Sequence, residues 1–165
     1  MNMRPIAFLV LLSWLVLLTE AGAAFAESAP LATITPASPE QSVQQAPVFA
    51  FLQEYFSALA RGDVNTIAAY HPTLTPQQLN TLRDYFAYTV RDLHIELRNV
   101  QVQVKANTAT VAFLRTDRFI DRVTERRIEK SIHLSTVIKQ GTKGWQISGL
   151  DFVAFALKDH TSQAG

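Results

Sequence analysis

The 165-residue chain contains no cysteine. That excludes disulfides, thiolate metal sites, nucleophilic thiols and a lipid anchor on an N-terminal cysteine. It also has no excess of charge of either sign. Fifteen basic and 14 acidic residues leave a formal +1, too small a balance to select nucleic acid or an anionic membrane surface. There is no internal repeat and no G-x-S-x-G nucleophile elbow. The stretch from Gly141 to Gly144 is a glycine-flanked hairpin turn. No helix start or Lys-Ser/Thr pair follows it, so it is not a phosphate loop. No two of the 4 histidines stand at the i, i+2 or i, i+4 spacing of a metal site. Neither a metal nor a cofactor is expected.

What is present is globular composition, 48% hydrophobic and 18% charged, in a chain long enough for one domain with a real core. The first residues stand apart from it. Arg4 precedes an uncharged apolar run from Ile6 to Leu18, interrupted by Ser13 alone, and small residues lead to Ala24-Phe25-Ala26. This is the pattern of a signal peptide over residues 1–26, with Glu27 as the mature start. The run is shorter than the ~20 residues that span a bilayer. The expected location is therefore exported, periplasmic or secreted, with membrane contact only if the signal stays uncleaved. Residues 27–46 follow, rich in Pro, Ser, Thr and Gln. Without a helical or strand period they read as a disordered spacer.

Structure is expected over residues 47–157, followed by a frayed tail, 158–165. Pro47 suits a first helical turn. Phe49, Leu52, Phe56 and Leu59 then recur on one helical face, widened by Val48, Phe51 and Tyr55. Gly62 stops that helix, Asp63 caps a short second one, and His71-Pro72 breaks it. Thr75-Pro76 opens a third helix, with Gln78 placed to complete a capping box. Leu79, Leu82, Phe86 and Val90 share its face, flanked by Tyr85 and Tyr88.

From Leu93 the apolar period changes to two. Leu93, Ile95 and Leu97 carry it first, then Val100, Val102 and Val104. The parity switch across Asn99 predicts a bulge in a continuing strand. Three further strands are expected: TATVAFLRTDRFID, IEKSIHLSTVIK and WQISGLDFVAF. Strands well beyond the usual five or six residues do not stay flat. The prediction is an α+β fold: N-terminal helices packed in the concave side of a long, strongly bent antiparallel sheet, a cone-like half-barrel.

This order of elements, with ALARGDVNTIAAY early and Gly144-Trp145-Gln146-Ile147 late, resembles the nuclear-transport-factor-2-like superfamily, which includes ketosteroid isomerase and polyketide-cyclase-like proteins. The resemblance spans about Pro47 to Phe155. It implies a cone with helices closing one end and a pocket inside. No function is implied, because the scaffold hosts enzymes, binders and dimerisation modules. The enzymes' catalytic constellation has no residue-by-residue match here, so no catalytic residue is carried over.

The residues themselves offer a ligand-binding set of Tyr85, Tyr88, Arg115, Asp117 and Trp145. Arg115 and Asp117 share the strand face of Val111 and Phe113, so preserved parity would turn them into the cone. The reading preferred from sequence is that the strand emerges into solvent beyond Leu114. That would leave an exposed ion pair worth under ~1 kcal/mol. The three aromatics read more simply as core packing. The charge-rich segment from Arg115 to Lys130 reads as a solvated hairpin tip with mixed signs. The first function expected is an exported, non-enzymatic domain binding a small apolar ligand or a protein partner. The alternatives are an isomerase or cyclase using a pocket carboxylate such as Asp117, and a homodimer through the outer sheet face around His133 and Ser135. Nucleic acid is not an expected partner.

Overall fold

The computed structural model describes residues 32–36 and 43–154; the expected signal peptide, 1–26, and the expected tail, 158–165, lie outside them. The first described element is a strand, β1 (Ala32–Pro36), inside the stretch expected to be a disordered spacer. It pairs in parallel with β2 (Val90–Lys105), Ala32 opposite Ile95 and Ile34 opposite Leu97. The Ala-Thr-Ile-Thr alternation suits a strand. What holds it is distant in sequence, though: the β2 edge, and the Gln53 amide donating to the Ala32 carbonyl at 3.0 Å. Pro36 ends it at a sheet edge, where a missing N–H costs no ladder bond.

Helix α1 (Ala46–Arg61) buries Val48, Phe51, Leu52, Tyr55, Phe56, Ala58 and Leu59. Gly62 closes it in the left-handed region at φ 67°, returning its N–H to the Ala58 and Leu59 carbonyls. A Cβ on Gly62 would lie 3.0 Å from the Phe86 ring, so conformation and space both call for glycine. Asp63 caps α2 (Val64–Tyr70) through its carboxylate. Thr75 and Gln78 form the predicted capping box on α3 (Pro76–Asp84). One π-helical turn, Tyr85–Thr89, then leads into β2. Its wider turn shifts the helical phase. Tyr85, expected at the flank, becomes buried, and Tyr88 is left 70% exposed.

Among the described residues the sheet has five strands in the order β1-β2-β3-β4-β5, with β3 (Thr108–Asp121), β4 (Arg127–Gly141) and β5 (Gly144–Ile147) antiparallel in turn. The parity switch at Asn99 is a bulge: the β2–β3 register shifts between Arg98 and Gln101, and Asn99 has φ 54°. A second bulge, at Asp92, has the same φ. The last strand is shorter than expected. It ends at Ile147, and the chain then turns inward so that Phe152 and Val153 are buried inside the cone. β4 is only partly covered. Ile138 is fully buried, but Ile132 is 47% exposed, because α1 packs on β1 and β2 and leaves this end of β4 uncovered.

The left-handed bulge residue generates the first prediction. Asn99→Val should cost about 1–2 kcal/mol in urea unfolding, because a β-branched residue resists positive φ. Asn99→Gly should stay within a few tenths.

Candidate functional site

The interior of the cone holds an ion pair rather than an open pocket. Parity along β3 turns Arg115 and Asp117 inward beside Val111, Phe113 and Phe119, contrary to the solvent-facing expectation. They are 2% and 1% exposed. Arg115 Nε donates to Asp117 Oδ1 at 2.6 Å and Nη2 to Oδ2 at 2.7 Å, a two-pronged contact. Arg115 Nη1 donates to the Phe152 carbonyl at 2.6 Å, and the guanidinium carbon lies 5.3 Å from the Phe56 ring centre. The strand therefore does not emerge into solvent at Leu114. α1 and the inward-turned C-terminal segment cover its inner face well beyond that point.

Burial pushes the Asp117 carboxyl above its ordinary range, and the Arg115 guanidinium pulls it back only in part. Both carboxylate oxygens are already hydrogen-bonded to Arg115. Each oxygen keeps a further lone pair, but the gap beside it admits no water, so a substrate proton has no way to reach it in this arrangement. The space beside the pair, bounded by Leu59, Tyr85, Phe86, Leu93 and Phe152, amounts to about 200 Å³ and is nowhere wide enough for a water molecule.

A second buried polar pair lies behind the first. The Tyr55 hydroxyl meets His71 Nε2 at 2.9 Å, and neither residue is more than 1% exposed. Burial drives the Tyr55 phenol far upward, with Arg115 opposing it, and lowers the His71 imidazole to about 4. Rings of Tyr55, Phe56, Phe113 and Phe152 pack around the two pairs at centroid distances of 5.2 to 5.7 Å. Such contacts favour tilted and edge-on geometry over face-to-face stacking.

Of the five residues singled out from sequence, the structure brings together Tyr85, Arg115 and Asp117 around this space. It does not bring in the others: Tyr88 faces solvent, and Trp145 sits on β5 opposite Gln140. Sequence reasoning missed Phe152, whose apolar run was taken for the end of a strand. It also missed the Tyr55–His71 contact, since nothing local in sequence joins the middle of α1 to a helix-ending turn.

Outside the cone, an open groove of about 510 Å³ runs past Asp92, His94, Arg118, Phe119, Arg127 and Ile128. Its rim carries a cross-strand ladder, with Arg118 donating to Glu129 at 2.7 Å and to Glu96 at 3.3 Å. Among the described residues, no three His, Asp or Glu side chains gather as a metal site would require.

No family model and no curated protein sequence matches the chain. Solved structures do. A nuclear-transport-factor-2-like superfamily protein from Salmonella enterica serovar Typhimurium superposes with a TM-score of 0.53 at 15% identity, covering 62% of this chain and 84% of that one. A ketosteroid isomerase-like protein from Erwinia carotovora gives 0.52 at 19%, covering 66% and 93%. A candidate dehydratase of the same family from Streptomyces avermitilis gives 0.53 at 17%, covering 63% and 90%. At these identities the likeness is one of fold, and the fold is nuclear-transport-factor-2-like, with the sheet left open as a curled half-barrel.

The lowered His71 value yields a pH prediction. A group depressed on folding contributes stability above its unfolded value near 6.5 and loses it as pH falls towards about 4. Wild type should lose about 3 kcal/mol across that window from His71. The difference between its urea-unfolding free energies and those of His71→Gln should shrink by that amount. Parallel curves would place His71 in water.

Proposed function

We propose that the protein is an exported, non-enzymatic domain that receives a protein partner on the outside of its cone. The observation that carries this reading is the filled interior. Where a pocket would lie there is a two-pronged Arg115–Asp117 contact, a carbonyl from Phe152 closing on it, and a gap too narrow for water. A ligand site needs concave space of a few hundred Å³ with convergent polar groups still available. Here Arg115 and Asp117 satisfy each other. The open grooves with charged rims lie on the outer surface, around His94 and Arg118. Mixed charges over an apolar floor suit a protein surface. Export is supported by the N-terminal apolar run and its Ala24-Phe25-Ala26 ending.

Native mass spectrometry of protein purified without denaturation tests the reading. The expected mass is that of the bare chain beginning at Glu27, in monomer or multimer. A small apolar molecule retained in stoichiometric amount would overturn it in favour of an interior ligand. Turnover of an enolisable ketone, abolished by Asp117→Asn in a protein that still folds, would overturn it in favour of catalysis.

A further inference from the structure

The outer face of the sheet changes character at the Asn99 bulge. On one side of it runs the charged ladder of Glu96, Arg118 and Glu129. On the other side no acid is present: neither Asn99 to Leu114 nor Ser131 to Ile147 contains an Asp or Glu. The charged groups there are Lys105, Lys139 and Lys143, all exposed. None of the three has an ion-pair or hydrogen-bond partner among the described residues. Asp151 does not neutralise them from the end of β5. It is tied at 3.1 Å to Thr136, whose row, opposite Val111, faces into the cone. The chain's near-balance of charge therefore conceals one half-face that is purely cationic.

The same half-face is hollowed. The bulge bends β2, and an open depression of about 370 Å³ lies beside it. Two cross-strand rows build the depression: Gln101, Ala112 and Ser135 in one, Leu114 and His133 in the next. Ala112 and Leu114, both half-buried, supply a small apolar floor. Asn99, Gln101, His133 and Ser135 stand exposed around it, and no hydrogen bond engages their side chains. This is the reverse of the cone interior, because concave space and unspent polar groups occur together. From Gln101 to Lys105, and from Ser135 to Lys139, the strands run roughly 13 Å further. There the two lysines flank Thr108 in a single row, about 10 Å apart at their Cα atoms.

We propose that this half-face binds an acidic oligosaccharide, with one sugar ring in the hollow at Asn99 and carboxylates carried along the strands to Lys105 and Lys139. A sugar ring offers an apolar C–H face and a rim of hydroxyls. The floor of Ala112 and Leu114 meets the first, and the neutral amides, imidazole and hydroxyl donate to and accept from the second. The lysines supply the charge that a uronate carboxylate pairs with. Other occupants fit less well. A nucleic acid would find no ring to stack on, since Phe113 and Trp145 are buried. A protein partner or a second copy needs large apolar anchors at its centre. Besides the floor, the half-face offers only Val137 on β4, 46% exposed. The proposal does not depend on the partner-binding reading, which rests on the grooves around His94 and Arg118 on the other side of the bulge.

Isothermal titration with the tetrasaccharides of galacturonate, of mannuronate and of hyaluronan tests it. At least one should bind, with an affinity that falls as salt is added. Two double variants separate the seat from the charge. Lys105→Ala with Lys139→Ala should weaken binding about tenfold, and Gln101→Ala with His133→Ala should do so to a similar degree. All four side chains are exposed, so urea midpoints should stay at the wild-type value in both. Failure of all three tetrasaccharides to bind at millimolar concentration would overturn the proposal. So would binding lost with the lysines but unchanged by the Gln101 and His133 substitutions, which is charge attraction without a seat. A dimer in ultracentrifugation that Leu114→Arg separates would also overturn it, giving the face to a second copy.

Discussion

The structure depends on one contact, the guanidinium of Arg115 held by both oxygens of Asp117 and by the Phe152 carbonyl. Two charges taken out of water cost several kcal/mol each before their attraction is counted. They are tolerated here because both carboxylate oxygens and three guanidinium nitrogens are hydrogen-bonded. The Phe152 carbonyl ties the inward-turned C-terminal segment to this pair. Phe152 then fills the cone against Phe56 and Phe113. The pair thus sets two features together: a closed interior and a short β5.

The distribution of cover follows from the same geometry. α1 packs over β1 and β2 and is tied to β1 by the Gln53 amide, while α2 reaches β5. The bulge at Asn99 bends β2 under that cover. On β4, Leu134 packs against the core but Ile132 has little above it. The charged ladder of Glu96, Arg118 and Glu129 runs across the other face of the sheet. Exposed pairs of this kind contribute little stability. They order the side chains that border the outer groove.

Local signals were legible in the sequence and distant ones were not. The capping box at Thr75, the stop at Gly62 and the bulge at Asn99 each rest on residues within one turn or one strand, and each was readable from spacing. The long bent sheet followed from the same patterns. β1 was not readable, because five residues of alternating sequence form a strand only with β2 and α1 alongside. The direction of Arg115 and Asp117 was open for a similar reason. Parity set their face, but burial depended on how far cover extended past Leu114, and that cover comes from Phe152, 37 positions on. Tyr55 and His71 meet through tertiary packing alone.

The most direct measurement of whether the cone interior is a brace or a pocket is urea unfolding of two variants near neutral pH. The account predicts that Asp117→Asn, which strands the Arg115 charge in the core, costs about 3–5 kcal/mol. It predicts that Arg115→Met combined with Asp117→Leu, which removes both charges and keeps the volume, costs far less than that single change. A cost under ~1 kcal/mol for Asp117→Asn, the value of a solvent-exposed pair, would contradict the account.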